Sequence, residues 1–222
     1  MKIAYCMSGH MRGYDKNISE ANKMLVEMAD RVFISTWEES GDNSVFWRNN
    51  ERKSSLIDKE SMLSIYNPTN FDIENSKDYE TSLLKDYTNV SFRKTKQFVS
   101  VKNAIIMFKK IKKSLSYVTD EDIVIRGRPD VTDVPGFNLN KKLEDGVIYG
   151  RITPWSKIPS EVFFYGTKNS MVDFIPDEDF FTEELINTTE NAEEVFYKAI
   201  LHRGMRFEEN KEMKFLLRGK PW

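Results

Sequence analysis

The chain has 222 residues and a formal net charge of −2 at pH 7, with 31% charged and 40% hydrophobic residues. This length suits one sizeable domain or two small ones. The nearly balanced charge excludes an overall positive field that would attract nucleic acid, although it does not exclude a local basic face. Cys6 is the only cysteine, which excludes an internal disulfide and a cysteine-based metal site.

The first 37 residues predict a strand, a helix and a second strand. The run KIAYCM at 2–7 is short and apolar, which favours a buried strand, and the glycine-containing loop SGHMRGYD follows it. RVFIST at 31–36 is the second strand and ends at Trp37. A βαβ unit of this length predicts parallel strands joined by a right-handed crossover. The helix between the strands is indicated by apolar residues at 3.6-residue spacing, namely Ile18, Ala21, Leu25 and Met28.

The next part of the chain combines polar segments with short elements. Residues 38–60 are polar and irregular and predict a loop. Asp58 is placed to cap a short helix that runs through Ile65 and is stopped by the Asn-Pro pair that follows. A third strand is predicted at 70–75 and another short helix at 79–87.

The strongest helical signal covers residues 97–118, where seven apolar side chains form one continuous stripe. The chain then enters IVIRGRPDV at 123–131, so a helix is again followed by a strand. Because helices and strands alternate without a linker or repeat, we predict one α/β domain over 1–222, with a Rossmann-like, mostly parallel central sheet and helices on both faces. Further elements are predicted as strands at 146–152, 161–166 and 214–217 and as helices at 168–175 and 190–202.

Unusual side chains follow three of the predicted strands. Ser8 to Gly13 follow the first, Ser35 to Trp37 end the second, and Arg126 to Asp130 end the strand at 123. Ligands of open parallel sheets bind at the carboxyl ends of the strands. We therefore expect these segments to meet in one pocket that holds glycine, hydroxyl, guanidinium and carboxylate groups.

Each of these groups suits the binding of a phosphorylated ligand. Gly9 allows a close approach of the backbone, and Arg12 is suited to clamp a phosphate with two hydrogen bonds. Asp130 is suited to hold a divalent cation that bridges two phosphates. Of Arg126 and Arg128, we expect one to face the pocket and the other to be structural.

The combination of SGHMR, STW, the helix start from Gln97 to Ser100 and IVIRGRPD resembles small nucleotide-sugar-dependent glycosyltransferases of the GT-A fold, of the bacterial polysaccharide and phage type. The resemblance covers roughly the first 135 residues. It implies a nucleotide-sugar donor, such as a UDP-sugar, bound by 1–135, and an acceptor bound by 136–222. The donor-site residues that it implies are Ser8, Gly9, His10, Arg12, Thr36, Trp37, Gln97, Ser100, Arg126 and Arg128.

The family's metal-binding motif has two aspartates one residue apart, and this chain departs from it. By the resemblance, Asp130 takes the second position and is the implied ligand for Mn²⁺ or Mg²⁺, whereas Arg128 stands in the first position. An arginine can itself neutralise a diphosphate. Metal dependence is therefore left open, and Asp130 and Arg128 are both candidate catalytic residues.

The reaction also needs a carboxylate base on the acceptor side if it inverts the sugar configuration. Glu193 is our candidate, with Asp173, Asp177 and Glu194 also eligible. The acceptor implied is a surface glycan, or a hydroxymethylated DNA base in a phage-type enzyme. The alternative is a non-catalytic nucleotide-binding or interaction module. A cytoplasmic protein without a membrane span is expected, because no stretch reaches the roughly 18 apolar residues that a span needs.

Structural explanations compete with these roles. Arg126 and Arg128 are also placed to form ion pairs with Asp130, or with Asp122 or Asp133, in a purely structural network. Trp37 is better explained as a core or rim aromatic than as a platform that stacks on a nucleotide base.

Overall fold

The structure is a computed structural model that describes most of the chain. The described residues are 1–11, 14, 20–40, 55–83, 85, 96–139, 142–154, 156–182, 184–185, 188–189, 191–214, 216–217 and 220–221. Most of the predicted loop at 38–60 lies outside them, as does Ile18 of the first predicted helix.

The central feature is a seven-stranded sheet with the order β3-β2-β1-β4-β7-β6-β8. Strand β7 pairs antiparallel with both neighbours, and every other pair in this sheet is parallel. The sheet is thus mostly parallel, as predicted, but mixed through one reversed strand. The strands are β1 (Ile3–Gly9), β2 (Arg31–Trp37), β3 (Asn70–Glu74), β4 (Ile123–Gly127), β5 (Val131–Asp133), β6 (Val147–Ile152), β7 (Pro159–Thr167), β8 (Arg206–Glu209), β9 (Leu216–Leu217) and β10 (Lys220–Pro221).

Helices cover both faces of this sheet, as predicted. Alternate residues of each strand point to opposite faces, so Ala4 and Cys6 of β1 join one core cluster while Tyr5 and Met7 join the other. Helices α4, α5 and α6 contribute to the first cluster, and α1 and α2 to the second. The helices are α1 (Glu20–Met28), α2 (Lys59–Tyr66), α3 (Ser76–Leu83), α4 (Lys96–Leu115), α5 (Lys168–Asp173) and α6 (Ala192–His202), with a 3₁₀ turn at Glu178–Phe180.

The start of α3 and the end of α4 differ from the predicted bounds, and local hydrogen bonds explain both differences. Helix α3 begins earlier than predicted because the Asn75 side chain accepts from the backbone N–H groups of Lys77 and Asp78 and caps the helix. Helix α4 ends at Leu115, three residues short of the predicted end, because the Val118 N–H bonds to the Leu115 carbonyl in a tighter i to i+3 turn.

The short strands β5, β8 and β10 were not predicted. Strands β5, β9 and β10 form a separate three-stranded sheet, and β5 begins directly after Asp130. Two or three residues are too few to show an alternating pattern, and β8 has the polar sequence RFEE. The predicted strand at 214–217 is present only as Leu216–Leu217.

The predicted cap of α2 is confirmed. The Asp58 carboxylate accepts from the backbone N–H groups of Glu60 and Ser61. We expect Asp58→Ala to lower the free energy of unfolding by about 1 kcal/mol, because two helix N–H groups lose their acceptor. Asp58→Asn is the matched control, since its side-chain oxygen still accepts. Urea denaturation measures both, and equal losses in the two variants would show that the cap contributes nothing.

Candidate functional site

The ends of β1, β2 and β4 meet at one edge of the sheet, as the sequence predicts. Gly9 pairs with Thr36 across β1 and β2, and Met7 pairs with Gly127 across β1 and β4. The chain places β2 and β3 on one side of β1 and then β4 on the other side. The gap between β1 and β4 is therefore the point at which the strand order reverses, where ligands of open α/β sheets bind.

Arg126 is buried beneath this edge and joins two strand ends. Its Nε donates to the Ser8 hydroxyl at 2.9 Å and its Nη2 to the Ser8 carbonyl at 3.1 Å, while Nη1 donates to the backbone carbonyl of Glu161. The guanidinium also lies 5.5 Å from the ring centre of Phe164. Burial lowers the pKa of Arg126 to about 10, and the Glu161 charge opposes that effect. Arg126 is thus the structural one of the two arginines.

Arg128 lies nearer the surface than Arg126 and forms ion pairs with two carboxylates. Its Nε and Nη2 bind the two oxygens of Asp130 at 2.9 and 2.8 Å, and its Nη1 lies 3.3 Å from Glu161 Oε1. The Arg128 side chain is 20% exposed, against 4% for Asp130 and 7% for Glu161. Although burial alone would lower it, the pKa of Arg128 is raised by these two charges. Both arginines contact Glu161, Arg126 at its backbone carbonyl and Arg128 at its carboxylate.

Glu193, in the first turn of α6, acts electrostatically on the same cluster. It is half-buried, and burial followed by the charge of Glu161 raises its pKa to about 7, although Arg128 opposes the shift. Arg128 and Asp130 are in direct contact, and Glu193 interacts with Arg128 and Glu161 through its charge. Their joint role as a catalytic site stays a prediction. A carboxyl group that titrates near neutral pH is suited to proton transfer.

Glu161 is the member of this cluster that the sequence analysis did not single out. The sequence carries one usable signal, since an acidic residue stands in the otherwise uncharged run PSEVFFYGT of β7. Because β7 is reversed, its amino end lies at the same edge as the carboxyl ends of β1 and β4, which the sequence pattern did not reveal.

Ser8, Gly9 and His10 line the β1 end of the edge. Ser8 is buried, and its hydroxyl accepts a hydrogen bond from Arg126 Nε. Gly9 has φ +108°, a conformation that favours glycine, although a Cβ there would meet no atom within 4 Å. The His10 Nδ1 lies 3.0 Å from the carbonyl oxygen of Glu39, so this nitrogen carries the proton that it donates. The glycine at position 9 is therefore explained by the backbone conformation at the end of β1, and not by the close approach of another group.

Thr36 and Trp37 lie in the interior. The Thr36 hydroxyl donates to the Trp37 carbonyl at 3.3 Å. The Trp37 ring packs 4.2 Å from the Lys110 ammonium and stacks on Tyr79 with centroids 5.8 Å apart. Lys110 is fully buried and pairs with Asp72 at 2.8 Å. The ring is 1% exposed, so in this conformation it offers no free face to a nucleotide base.

Three predicted donor-site side chains cannot be placed. Arg12 lies outside the described residues, and Gln97 and Ser100 belong to α4 without described side chains. The other eligible bases lie in exposed or paired positions. Asp177 pairs with Arg203, and Glu194 pairs with Lys198.

The described residues do not fit a divalent cation at Asp130. Both Asp130 oxygens accept from Arg128, and no group of three or more His, Cys, Asp or Glu side chains in the described part of the chain is arranged to hold a metal ion. The Arg128 guanidinium thus already neutralises the charge that would attract a cation to Asp130. The metal role of Asp130 therefore stays a prediction, and no chemical step below depends on it.

No protein-family model and no curated protein matches the chain. Among solved structures, the fold is similar to that of the glycosyltransferase GlyE in Streptococcus pneumoniae TIGR4, with a TM-score of 0.46 and 10% sequence identity. The match covers 96% of this chain and 46% of that chain, so the present chain spans about half of the GlyE structure. The GT-A and phage assignments stay predictions.

Within the described residues, no helix is long and apolar enough to cross a membrane.

Proposed function

We propose that the chain is a glycosyltransferase that moves a sugar from a nucleotide diphosphate donor to an acceptor hydroxyl. The observation that carries the proposal is the Arg128–Asp130 pair directly after β4, beside the reversal of strand order. Glu193 of α6 interacts with Arg128 through its charge. A cationic group can stabilise the leaving diphosphate, and a carboxyl group with a pKa of about 7 is suited to accept the acceptor proton in an inverting transfer.

Arg128 is the group that we expect to meet the diphosphate. Of the two arginines it is the one with exposed surface, and a planar guanidinium binds phosphate oxygens in pairs. To do so it must exchange one of its carboxylate partners for phosphate. The weaker contact, to Glu161 at 3.3 Å, is the one we expect it to release. Arg126 supports the pocket from beneath, because it fixes the end of β1 at Ser8.

The proposed reaction exchanges one bond at the anomeric carbon and moves one proton. The acceptor hydroxyl oxygen attacks the anomeric carbon of the sugar, the bond from that carbon to the diphosphate oxygen breaks, and the diphosphate leaves with the bonding electrons. Glu193 in its carboxylate form takes the hydroxyl proton. Arg128 offsets the negative charge that develops on the leaving group. This displacement inverts the configuration at the anomeric carbon.

A glycan is the acceptor that the charge distribution favours over DNA. Duplex DNA is bound largely through cationic side chains that are free to contact phosphates. Helix α4 carries the main lysine cluster, but several of its lysines are committed to acidic partners within the fold. These pairs are Lys102 with Glu80, Lys109 with Glu74, and Lys110 with Asp72 and Glu74.

Donor binding is tested by thermal unfolding in the presence of nucleotide diphosphates and nucleotide sugars, each with and without Mn²⁺ or Mg²⁺. We expect one nucleotide diphosphate to raise the melting temperature by about 5–10 °C at ~100 times its Kd. Arg128→Gln should abolish the shift, measured against its own unliganded melting point. A shift that needs Mn²⁺ would restore the metal role of Asp130.

Arg151→Gln is the matched control for this experiment. Arg151 is also partly exposed and also pairs with a glutamate, Glu209 at 2.7 Å, but it lies in β6, away from the β1–β4 gap. It should keep the full shift. No shift with any nucleotide, or equal loss in both variants, would favour the non-catalytic module and refute the donor site proposed here.

A further inference from the structure

A cavity of about 360 Å³ lies over β6 and β7 and beside the carboxyl end of β8, and none of the residues that line it belongs to the cluster around Arg128. Its floor is formed by Tyr149 and Tyr165, whose rings are almost fully buried and stack with centroids 5.6 Å apart. An aromatic floor with a few polar groups around it is typical of small-ligand sites. The polar side chains at the rim are those of Asn138, Glu209, Asn210, Lys211 and Glu212.

The cavity is preformed, because hydrogen bonds fix its rim to its floor. Asn210 Nδ2 donates to the Tyr165 hydroxyl at 2.9 Å. The Asn210 side-chain oxygen accepts from the backbone N–H groups of Glu212 and Met213, each at 3.2 Å. On the opposite side, Gly136 lets the chain pass close by, since a Cβ there would collide with the Glu212 carbonyl. Little has to be ordered when a ligand binds, so little binding free energy is lost.

The rim offers hydrogen-bond donors and acceptors without a net charge. The Asn138 amide is able both to donate and to accept, while the exposed Lys211 donates and the exposed Glu212 accepts. Glu209 pairs with Arg151 at 2.7 Å, so the two positive and two negative groups at the rim balance. Such a rim does not select a phosphate or a carboxylate. It matches a ligand with many hydroxyl groups, because each hydroxyl both donates and accepts.

The cavity opens at the same edge of the sheet as the proposed donor site, but at a distance from it. Arg126 of β4 pairs with Phe164 of β7, and Phe164 pairs with Gly150 of β6. Gly150 in turn pairs with Glu209 of β8. Glu209 is therefore three strand spacings, about 14 Å, from Arg126 along the sheet. A single hexose ring does not span this distance from the cavity to a sugar held at Arg128.

We propose that the cavity binds one sugar unit of an uncharged oligosaccharide acceptor, and that the reactive hydroxyl lies on another unit of the same acceptor. The inference deepens the proposed function, and it rests on that function for the meaning of acceptor. The acceptor runs along the carboxyl edge of the sheet from the cavity towards Arg128. A monosaccharide would fill only one of the two places, so an acceptor of two or more units is the class that this edge selects.

The test is a titration of the ¹⁵N-labelled full chain, followed by NMR, with maltotriose, mannotriose and triacetylchitotriose. We expect at least one of these trisaccharides to shift the signals of residues 209–212 and of the Asn138 amide, with a Kd of about 1 mM or below. Asn138→Ala combined with Glu212→Ala should weaken this binding at least about tenfold, because two hydrogen-bonding groups are lost. Both residues are exposed, so the fold should be kept.

Two control variants and one charged ligand sharpen the titration. Asn70→Ala removes an exposed asparagine in β3, at the opposite edge of the sheet, and should keep the full affinity. Arg128→Gln should also keep it, because Arg128 does not line the cavity. Trigalacturonic acid should bind more weakly than the best uncharged trisaccharide. Equal or tighter binding of this acid would show that the ligand class is wrong.

The proposal is overturned if none of the uncharged trisaccharides binds, or if the double variant binds them as tightly as the unaltered chain. The titrations contain no nucleotide, so the two proposals fail separately. Saccharide binding by a chain that binds no nucleotide would refute the donor site alone, whereas nucleotide binding without saccharide binding would refute the cavity alone. In an active chain, the double variant should raise the KM for the trisaccharide and leave kcat nearly unchanged, because the cavity lies away from the reacting carbon.

Discussion

Replacing Asp130 with alanine is expected to lower the free energy of unfolding by about 3–5 kcal/mol. Asp130 is almost fully buried and binds Arg128 through both carboxylate oxygens at 2.9 and 2.8 Å. Its removal leaves Arg128 with Glu161 as its ionic partner among the described residues. If Asp130 served only as a metal ligand, its replacement by alanine would leave folding nearly intact. The buried pair changes that expectation.

Asp130→Asn separates the charge from the packing. The amide keeps one acceptor oxygen for the guanidinium, so we expect a loss smaller than that of alanine. Glu144→Ala provides a control for a surface ion pair, because Glu144 and Arg206 form a 3.1 Å pair between exposed side chains, and its loss should be at most about 1 kcal/mol. Urea denaturation gives all three values. An Asp130→Ala protein as stable as the Glu144→Ala protein would mean that the Arg128–Asp130 pair does not hold the site together.

The strands at the site could be predicted because each has a local signature. Strands β1, β2 and β4 are short apolar runs bounded by polar loops, and the βαβ spacing implies that β1 and β2 are parallel. The direction of β7 could not be predicted in the same way. An apolar run such as VFFYG has the same pattern in either direction, so only the pairing with β4 and β6 reveals the reversal.

The candidate site was predictable to the extent that it depends on strand ends. Arg128 and Asp130 follow β4 within a few residues, and their convergence on the β1 end follows from parallel pairing. Glu161 could not be found this way, because it reaches the same edge from the start of a reversed strand. The burial of Trp37 agrees with its prediction as a core aromatic, but the burial of Lys110 against its ring was not predicted, because a lysine of an amphipathic helix ordinarily lies on the solvated face.

Arg126→Ala is expected to be the other severe substitution, with a loss of about 4 kcal/mol or more of unfolding free energy. Arg126 is fully buried and donates to the hydroxyl and carbonyl of Ser8 and to the carbonyl of Glu161. Alanine leaves a cavity beside Phe164 and removes the donor to each of these acceptors. Urea denaturation, with donor binding measured by calorimetry, tests both consequences.

Two control variants separate the charge of Arg126 from the hydrogen bonds that its guanidinium makes. Arg126→Lys keeps the charge but cannot span the acceptors of both strands, because an ammonium lacks the planar fork of a guanidinium. We therefore expect Arg126→Lys to recover part of the stability and little of the donor binding. Ser8→Ala removes the hydroxyl acceptor alone and leaves the carbonyl contact, so it should lose less of both. If Arg126→Lys bound donor as tightly as the unaltered protein, a buried charge would suffice at this position. The bridge between the ends of β1 and β7 would then not be what shapes the pocket.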